Sequence, residues 1–107
     1  MQNDCVFCKI VNKDIPSKLE YEDDFCLCFH DIHPRAKTHL LIIPKKHIAT
    51  VKDLEATDEA AMGRMMITAS LMAAKFQLND YKLLISVGEK AGQEVFHIHM
   101  HLMSAPD

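Results

Sequence analysis

The sequence predicts an α+β domain, in which one long helix packs on an antiparallel sheet. Three observations predict it. Five short apolar segments have the length of strands, and a single stretch carries helical periodicity. The connections between them are short, with no internal repeat, low-complexity tract or Gly/Ser linker. A chain of 107 residues suits one domain, spanning 1–107.

The elements follow in order. Cys5-Val6-Phe7-Cys8-Lys9-Ile10-Val11 reads as a brief helix or loop, punctuated by Ile15-Pro16-Ser17. Lys18 to Tyr21 and Phe25 to Phe29 read as a hairpin, with Glu22-Asp23-Asp24 as its polar turn. Phe25, Leu27 and Phe29 alternate with Cys26, Cys28 and His30, so both faces of that strand are partly covered. His39 to Ile43 is a third strand, which Pro44 ends by withholding a donor from the ladder. The helix starts near Thr57 or Asp58, either of which can cap it. Met62, Met65, Met66, Ala69, Met72, Ala73 and Phe76 recur at three- and four-residue spacing and form its core stripe. A Met-rich docking surface is the other reading of that stripe. Tyr81 to Val87 and Val95 to Met103 are the last two strands, joined by the Gly-containing loop 88–94.

Composition excludes several functions. Apolar residues make up 49% and charged ones 25%, against intrinsic disorder. Twelve basic and 15 acidic residues leave a formal charge of −3, so nothing draws the chain to nucleic acid or an anionic membrane. No apolar run approaches the roughly 20 residues of a membrane span. The opening Met1-Gln2-Asn3-Asp4-Cys5 lacks the basic start of a secretion signal, so a cytoplasmic protein with reduced thiols is expected. The four cysteines then read as metal ligands or buried thiols. Cys26 and Cys28, two apart on one strand, read as buried thiols.

Histidine is the outlier, with seven in the chain. In His97-Ile98-His99-Met100-His101-Leu102-Met103, imidazoles alternate with apolar side chains. On a strand this places His97, His99 and His101 on one face, about 6.6 Å apart. Ile98, Met100 and Leu102 cover the other face, toward the helix stripe. A histidine-rich polar face, a three-histidine zinc site and nucleophilic catalysis on phosphorus all fit that ladder. The segment upstream favours the last. Gly88-Glu89-Lys90-Ala91-Gly92-Gln93-Glu94 is a small loop whose glycines admit close backbone approach and whose amides can form an anion nest. Gln93 adds a neutral donor there, so oxyanion donors and nucleophile come together.

These blocks resemble the histidine-triad (HIT) superfamily, whose signature is His-x-His-x-His flanked by apolar residues. The resemblance extends through Gly92 to Phe96, Phe29 to Pro34, Thr38 to His47, Phe7 to Ile10, and Ile15-Pro16. Within the superfamily the chain is most similar to the histidine-triad nucleotide-binding branch. That implies a five-stranded antiparallel sheet with one long helix and a short N-terminal helix, and a homodimer with a continuous ten-stranded sheet. It also implies hydrolysis of purine nucleoside phosphoramidates or acyl-nucleotides with no metal in catalysis. Two other functions stay open, hydrolysis of dinucleoside polyphosphates and a nucleotide- or zinc-binding regulator with vestigial catalysis. The sister branch that cleaves dinucleoside polyphosphates has glutamine at its last motif position, where this chain has histidine.

The resemblance also implies roles. His99 is the nucleophile, His101 bonds a non-bridging phosphate oxygen, and His97 is the internal, orienting histidine. Gly92, Gln93 and Glu94 surround the phosphate and leaving group, and Asp31 accepts the ribose hydroxyls. Val6, Phe7, Ile10, Phe29, His30 and Ile32 form the slot for the base. His39 sits where the family keeps a histidine behind the triad, while His30 and His33 lie at the surface or the pocket rim. Two features depart from the branch. Ser86 stands where asparagine is usual, and the tryptophan-bearing tail that shapes leaving-group preference is missing. Cys5 and Cys8 have the Cys-x-x-Cys spacing that lets two thiolates close on one zinc ion. Some bacterial relatives complete such a site with histidines that correspond to His47 and His97, which implies a structural zinc. Free thiols near the base slot are the alternative.

Overall fold

Asp23 sets the first hairpin. Its Oδ1 accepts the N–H groups of Phe25 and Cys26 at 2.8 and 3.0 Å. That turn folds β1 (Leu19–Glu22) back along β2 (Cys26–His30) in the computed structural model, which describes residues 4–106. Residues 1–3, at the start read above for a leader, lie outside the described residues. Next come β3 (His39–Pro44), β4 (Tyr81–Leu84) and β5 (Met100–Ser104). All five strands form one sheet in the order β1-β2-β3-β5-β4, with every neighbouring pair antiparallel. The α+β class and the five-stranded sheet with a long and a short helix are as expected.

Strand alternation divides the interior into two layers. Cys26, Cys28, Leu40, Ile42, Met100 and Leu102 point to the side covered by α2 (Glu59–Lys75). Phe29, Leu41 and Ile43 point to the opposite side, where Phe7 and Ile10 of α1 (Val6–Val11) cover them. Ile42 and Leu102 are fully buried, and each such side chain contributes about 2 kcal/mol of apolar transfer free energy. The 17 residues of α2 make a rod about 25 Å long. Among the described residues no helix is long and apolar enough to cross a membrane.

Four local expectations change. Asp58 stands at the N-cap of α2 without capping it. Its Oδ2 accepts the N–H of Glu55 at 2.9 Å, closing a 3-10 turn, and its Oδ1 accepts from Lys46 Nζ at 2.7 Å. Met66 is 55% exposed, because residues 62, 65, 69, 72 and 76 already complete the buried stripe and 66 falls on its shoulder. β4 stops at Leu84, whose partner His101 is the last residue of β5 that it meets. β5 begins only at Met100, so His97 and His99 precede the regular ladder. The chain there is held by the Ile98 N–H, which donates to Ile48 O at 2.8 Å. Alternation continues through that stretch all the same, and Ile98 is buried in the α2 layer.

Candidate active site

The face of the sheet opposite α2 carries a cavity of about 450 Å³ beside β3 and β5. Its apolar wall comes from Val6, Phe7 and Ile10 of α1 together with Phe29 and Ile32. Ile32 is 85% exposed and forms the rim. Its polar lining includes Asp31, Arg35, Ser86, Glu94, His99 and His101, with Gly92 among them. Gly92 has φ of +100°, a conformation that L side chains rarely adopt, so the tight turn there requires glycine.

Hydrogen-bond partners fix which nitrogen of each imidazole carries the proton. A backbone carbonyl only accepts. His99 Nδ1 lies 2.9 Å from His97 O and therefore donates, which leaves the lone pair on Nε2. Phe7 meets the His99 ring edge to face, 5.1 Å between centroids, and holds the imidazole in place. A second constraint comes from the loop after Asp31. The Arg35 N–H donates to His39 Nδ1 at 3.0 Å, so neutral His39 carries its proton on Nε2. That Nε2 lies 2.8 Å from His101 Nδ1 and 3.4 Å from Asp31 Oδ2. Arg35 Nη2 also approaches His101 Nδ1, at 3.4 Å. With donors on Nδ1, His101 keeps its own proton on Nε2. One ring thus presents a lone pair on Nε2, and its neighbour a proton.

Burial keeps the donor ring neutral. Desolvation first, then His99, His39 and Arg35 beside it, push the His101 pKa down to about 4, against a smaller upward pull from Asp31. His39 is lowered too, by burial, although Asp31 partly offsets it.

His97 faces away from the cavity. Its Nε2 donates to Pro44 O at 2.8 Å, which leaves the Nδ1 lone pair pointing at Cys5 Sγ and Cys8 Sγ, 3.4 and 3.6 Å away. His47 Nδ1 lies 3.2 Å from Cys8 Sγ. The ligand atoms of Cys5, Cys8, His47 and His97 all lie within 4.8 Å of one another. Two sulfurs and two nitrogens so placed are the donor set of a tetrahedral zinc site, and the His97 tautomer suits it. These residues fit the ion. As a free thiol Cys8 is held protonated, since burial and the neighbouring Cys5 raise it to about 11.

Two residues assigned to the nucleotide stand elsewhere. His30 follows Phe29 on β2 and so points to the other face. There it bonds Glu20 Oε2 at 2.6 Å and meets the Phe76 ring. Gln93 is 3% exposed and both its amide groups are engaged. Nε2 donates to Ala49 O and Val95 O at 2.7 and 3.0 Å, while Oε1 accepts the Gly88 N–H at 2.9 Å. It staples the loop and offers no donor to a ligand. Sequence reasoning had not placed Arg35, Leu41 or Leu84 in the lining. Leu41 was within reach of period-2 counting from His39, and Leu84 from Ser86. Arg35 lies in an irregular loop and gave no such signal.

The HIT domain family model matches residues 12–106. The chain is 42% identical to Protein HitA of Neisseria gonorrhoeae over 105 residues, 97% of this chain and 98% of that one. It is 43% identical to the purine nucleoside phosphoramidase of Escherichia coli strain K12 over 105 residues, 96% of this chain and 88% of that one. Among solved structures, a HIT family hydrolase from Legionella pneumophila superposes with a TM-score of 0.93 at 43% identity, covering 97% of this chain and 95% of that one. One from Clostridium thermocellum gives 0.95 at 38% identity, covering 100% and 95%. With residues 12–106 matched and near-complete relatives above 40% identity, this chain belongs to the HIT domain family.

Proposed function

We propose that the protein hydrolyses purine nucleoside 5′-phosphoramidates through a nucleotide transiently bonded to His99. The observation that carries this reading is the pair of opposed tautomers. A free lone pair on His99 Nε2 and a proton on His101 Nε2 line the same cavity. The Escherichia coli relative named for this activity supports it.

The base lies against Phe7, Ile10 and Phe29, and the Asp31 carboxylate accepts from the ribose hydroxyls. His99 Nε2 donates its lone pair to phosphorus, and the P–N bond of the substrate breaks with its electron pair on the departing nitrogen. That nitrogen takes a proton from solvent and leaves as the amine, and the later attack of water returns one proton to solvent. His101 Nε2–H hydrogen-bonds a phosphoryl oxygen as charge builds on it, whereas the N–H groups of Ala91, Gly92 and Gln93 are spent on Gly88 O and Glu89 O within the loop. Water then attacks phosphorus and the N–P bond breaks, returning the pair to His99 and releasing the nucleoside monophosphate and a proton.

Cys5, Cys8, His47 and His97 would hold a structural zinc ion, which supplies a cross-link between α1 and the catalytic segment. A two-fold homodimer is part of the same reading. Tyr81, Leu84 and Ile85 lie exposed on and beside edge strand β4, and α2 exposes Met66, Ile67 and Leu71. An uncovered edge and an apolar helix flank suit pairing with a second copy.

His99→Ala tests the chemistry. Turnover of adenosine 5′-phosphoramidate is expected to fall by about three orders of magnitude or more, while AMP affinity stays within a few-fold. A variant that kept a tenth of the activity would overturn the assignment.

A further inference from the structure

A second cavity, of about 380 Å³, adjoins the nucleotide pocket on the same face of the sheet. Arg35 lines both, so the two share a wall. The sheet register places the second cavity one row further along. His101 lies opposite Leu84 in the nucleotide pocket, and two residues on, Met103 lies opposite Lys82 in the second cavity. That step is about 6.6 Å along the strand. The Lys82 side chain has no hydrogen-bond or ion-pair partner among the described residues. Among the described lining residues, Arg35 and Lys82 bring two positive charges against the single carboxylate of Asp80.

We infer that this cavity is a subsite for the departing half of the substrate, and that it selects leaving groups that carry an anion. The inference rests on the phosphoramidate-hydrolase reading above. Displacement at phosphorus runs in line, so the leaving group departs on the side opposite His99 Nε2. Along β5, the side of His101 away from His99 is the Met103–Lys82 row, with the Arg35 guanidinium 3.4 Å from His101 Nδ1 at its entrance. An amine leaving group with a carboxylate, or a departing phosphate, would place its charge beside Arg35 and Lys82. A neutral amine would bring no charge to either cation. Pairing of β4 with a second copy would use backbone groups at the strand edge, and the Lys82 side chain would stay on the cavity face.

The test uses the whole chain and three compounds built on adenosine 5′-monophosphate. They are the ethylamide with a neutral departing amine, the β-alanine amide with a carboxylate, and ADP with a phosphate. Lys82→Gln is expected to lower kcat/KM about fivefold for the charged leaving groups and less than twofold for the ethylamide. Lys82→Arg should restore the difference. Sensitivity of the β-alanine amide alone would identify amino-acid leaving groups, and sensitivity of ADP alone would identify phosphate. Equal effects on all three compounds, or none, would overturn the subsite. If none of the three is hydrolysed, the hydrolase reading fails by itself. Titration calorimetry of the intact β-alanine amide and ADP then decides the subsite, and equal affinities for wild type and Lys82→Gln overturn it.

Discussion

On one side of His99, His97 turns its Nδ1 toward two cysteine sulfurs and a second imidazole, sealed between α1 and the sheet. On the other side, His101 turns its Nδ1 toward His39, an arginine and a carboxylate, and keeps its Nε2 for the open pocket. The two rings are four residues apart and burial lowers both to about 4. Their neighbours assign them different work. A carbonyl on Nε2 and sulfurs at Nδ1 leave His97 a lone pair suited to a metal. Donors at Nδ1 make His101 a donor in turn. His99 belongs to both clusters, since the His97 carbonyl sets its tautomer while its ring packs against His101 at 5.1 Å between centroids. Residue type alone does not separate catalysis from support here; the atom facing each ring nitrogen does.

The largest effect that would break this comparison lies on the sulfur side. Removing zinc with a chelator is expected to lower the melting temperature by about 10 °C or more, the consequence of losing several kcal/mol of metal-linked folding energy. Turnover by the molecules still folded should change far less. Elemental analysis of protein purified without added metal should find zinc near one ion per chain. A content below about a fifth of an ion, unchanged in Cys5→Ser, would remove the metal from the account and leave the hydrolase reading intact.

A smaller effect sharpens the other side. His39→Ala should lower kcat about 10- to 100-fold with little change in KM, because His101 loses the donor that keeps its proton on Nε2. Steady-state kinetics on adenosine 5′-phosphoramidate would show it. A rise in KM alone would mean that His39 shapes binding and does not orient His101.

The smallest effect is in pH. His101 falls from 6.5 to about 4 on folding and His39 is also lowered, so the unfolded chain binds more protons between those values. Their contribution is complete above pH 6.5 and is lost as pH drops toward 4. Thermal melts should lose a few degrees across that window, and His39→Ala should flatten the slope. A melting temperature that rose on acidification through it would contradict the assignment.

How far the sequence could be read follows from the same physics. The ladder was legible because period-2 alternation survives even where the regular strand has not begun, so His97, His99 and His101 keep one face. The Cys-x-x-Cys pair was legible because one helical turn of α1 brings Cys5 and Cys8 to one side. His30 was misplaced although alternation held the answer. Phe29 and His30 are neighbours on a strand and cannot share a pocket. Gln93 could not be read, because whether a buried amide serves a ligand or its own loop depends on Ala49, 44 residues away. Arg35 was also hidden, since an irregular loop has no period to extrapolate.

The central claim is that His99 Nε2, and not water, first attacks phosphorus. Stereochemistry at phosphorus tests it most directly. A nucleoside phosphorothioamidate of single configuration would be hydrolysed in oxygen-18 water and the configuration of the product determined. Two successive in-line displacements, through His99 and then water, predict overall retention. Inversion would show a single direct attack by water and contradict the account.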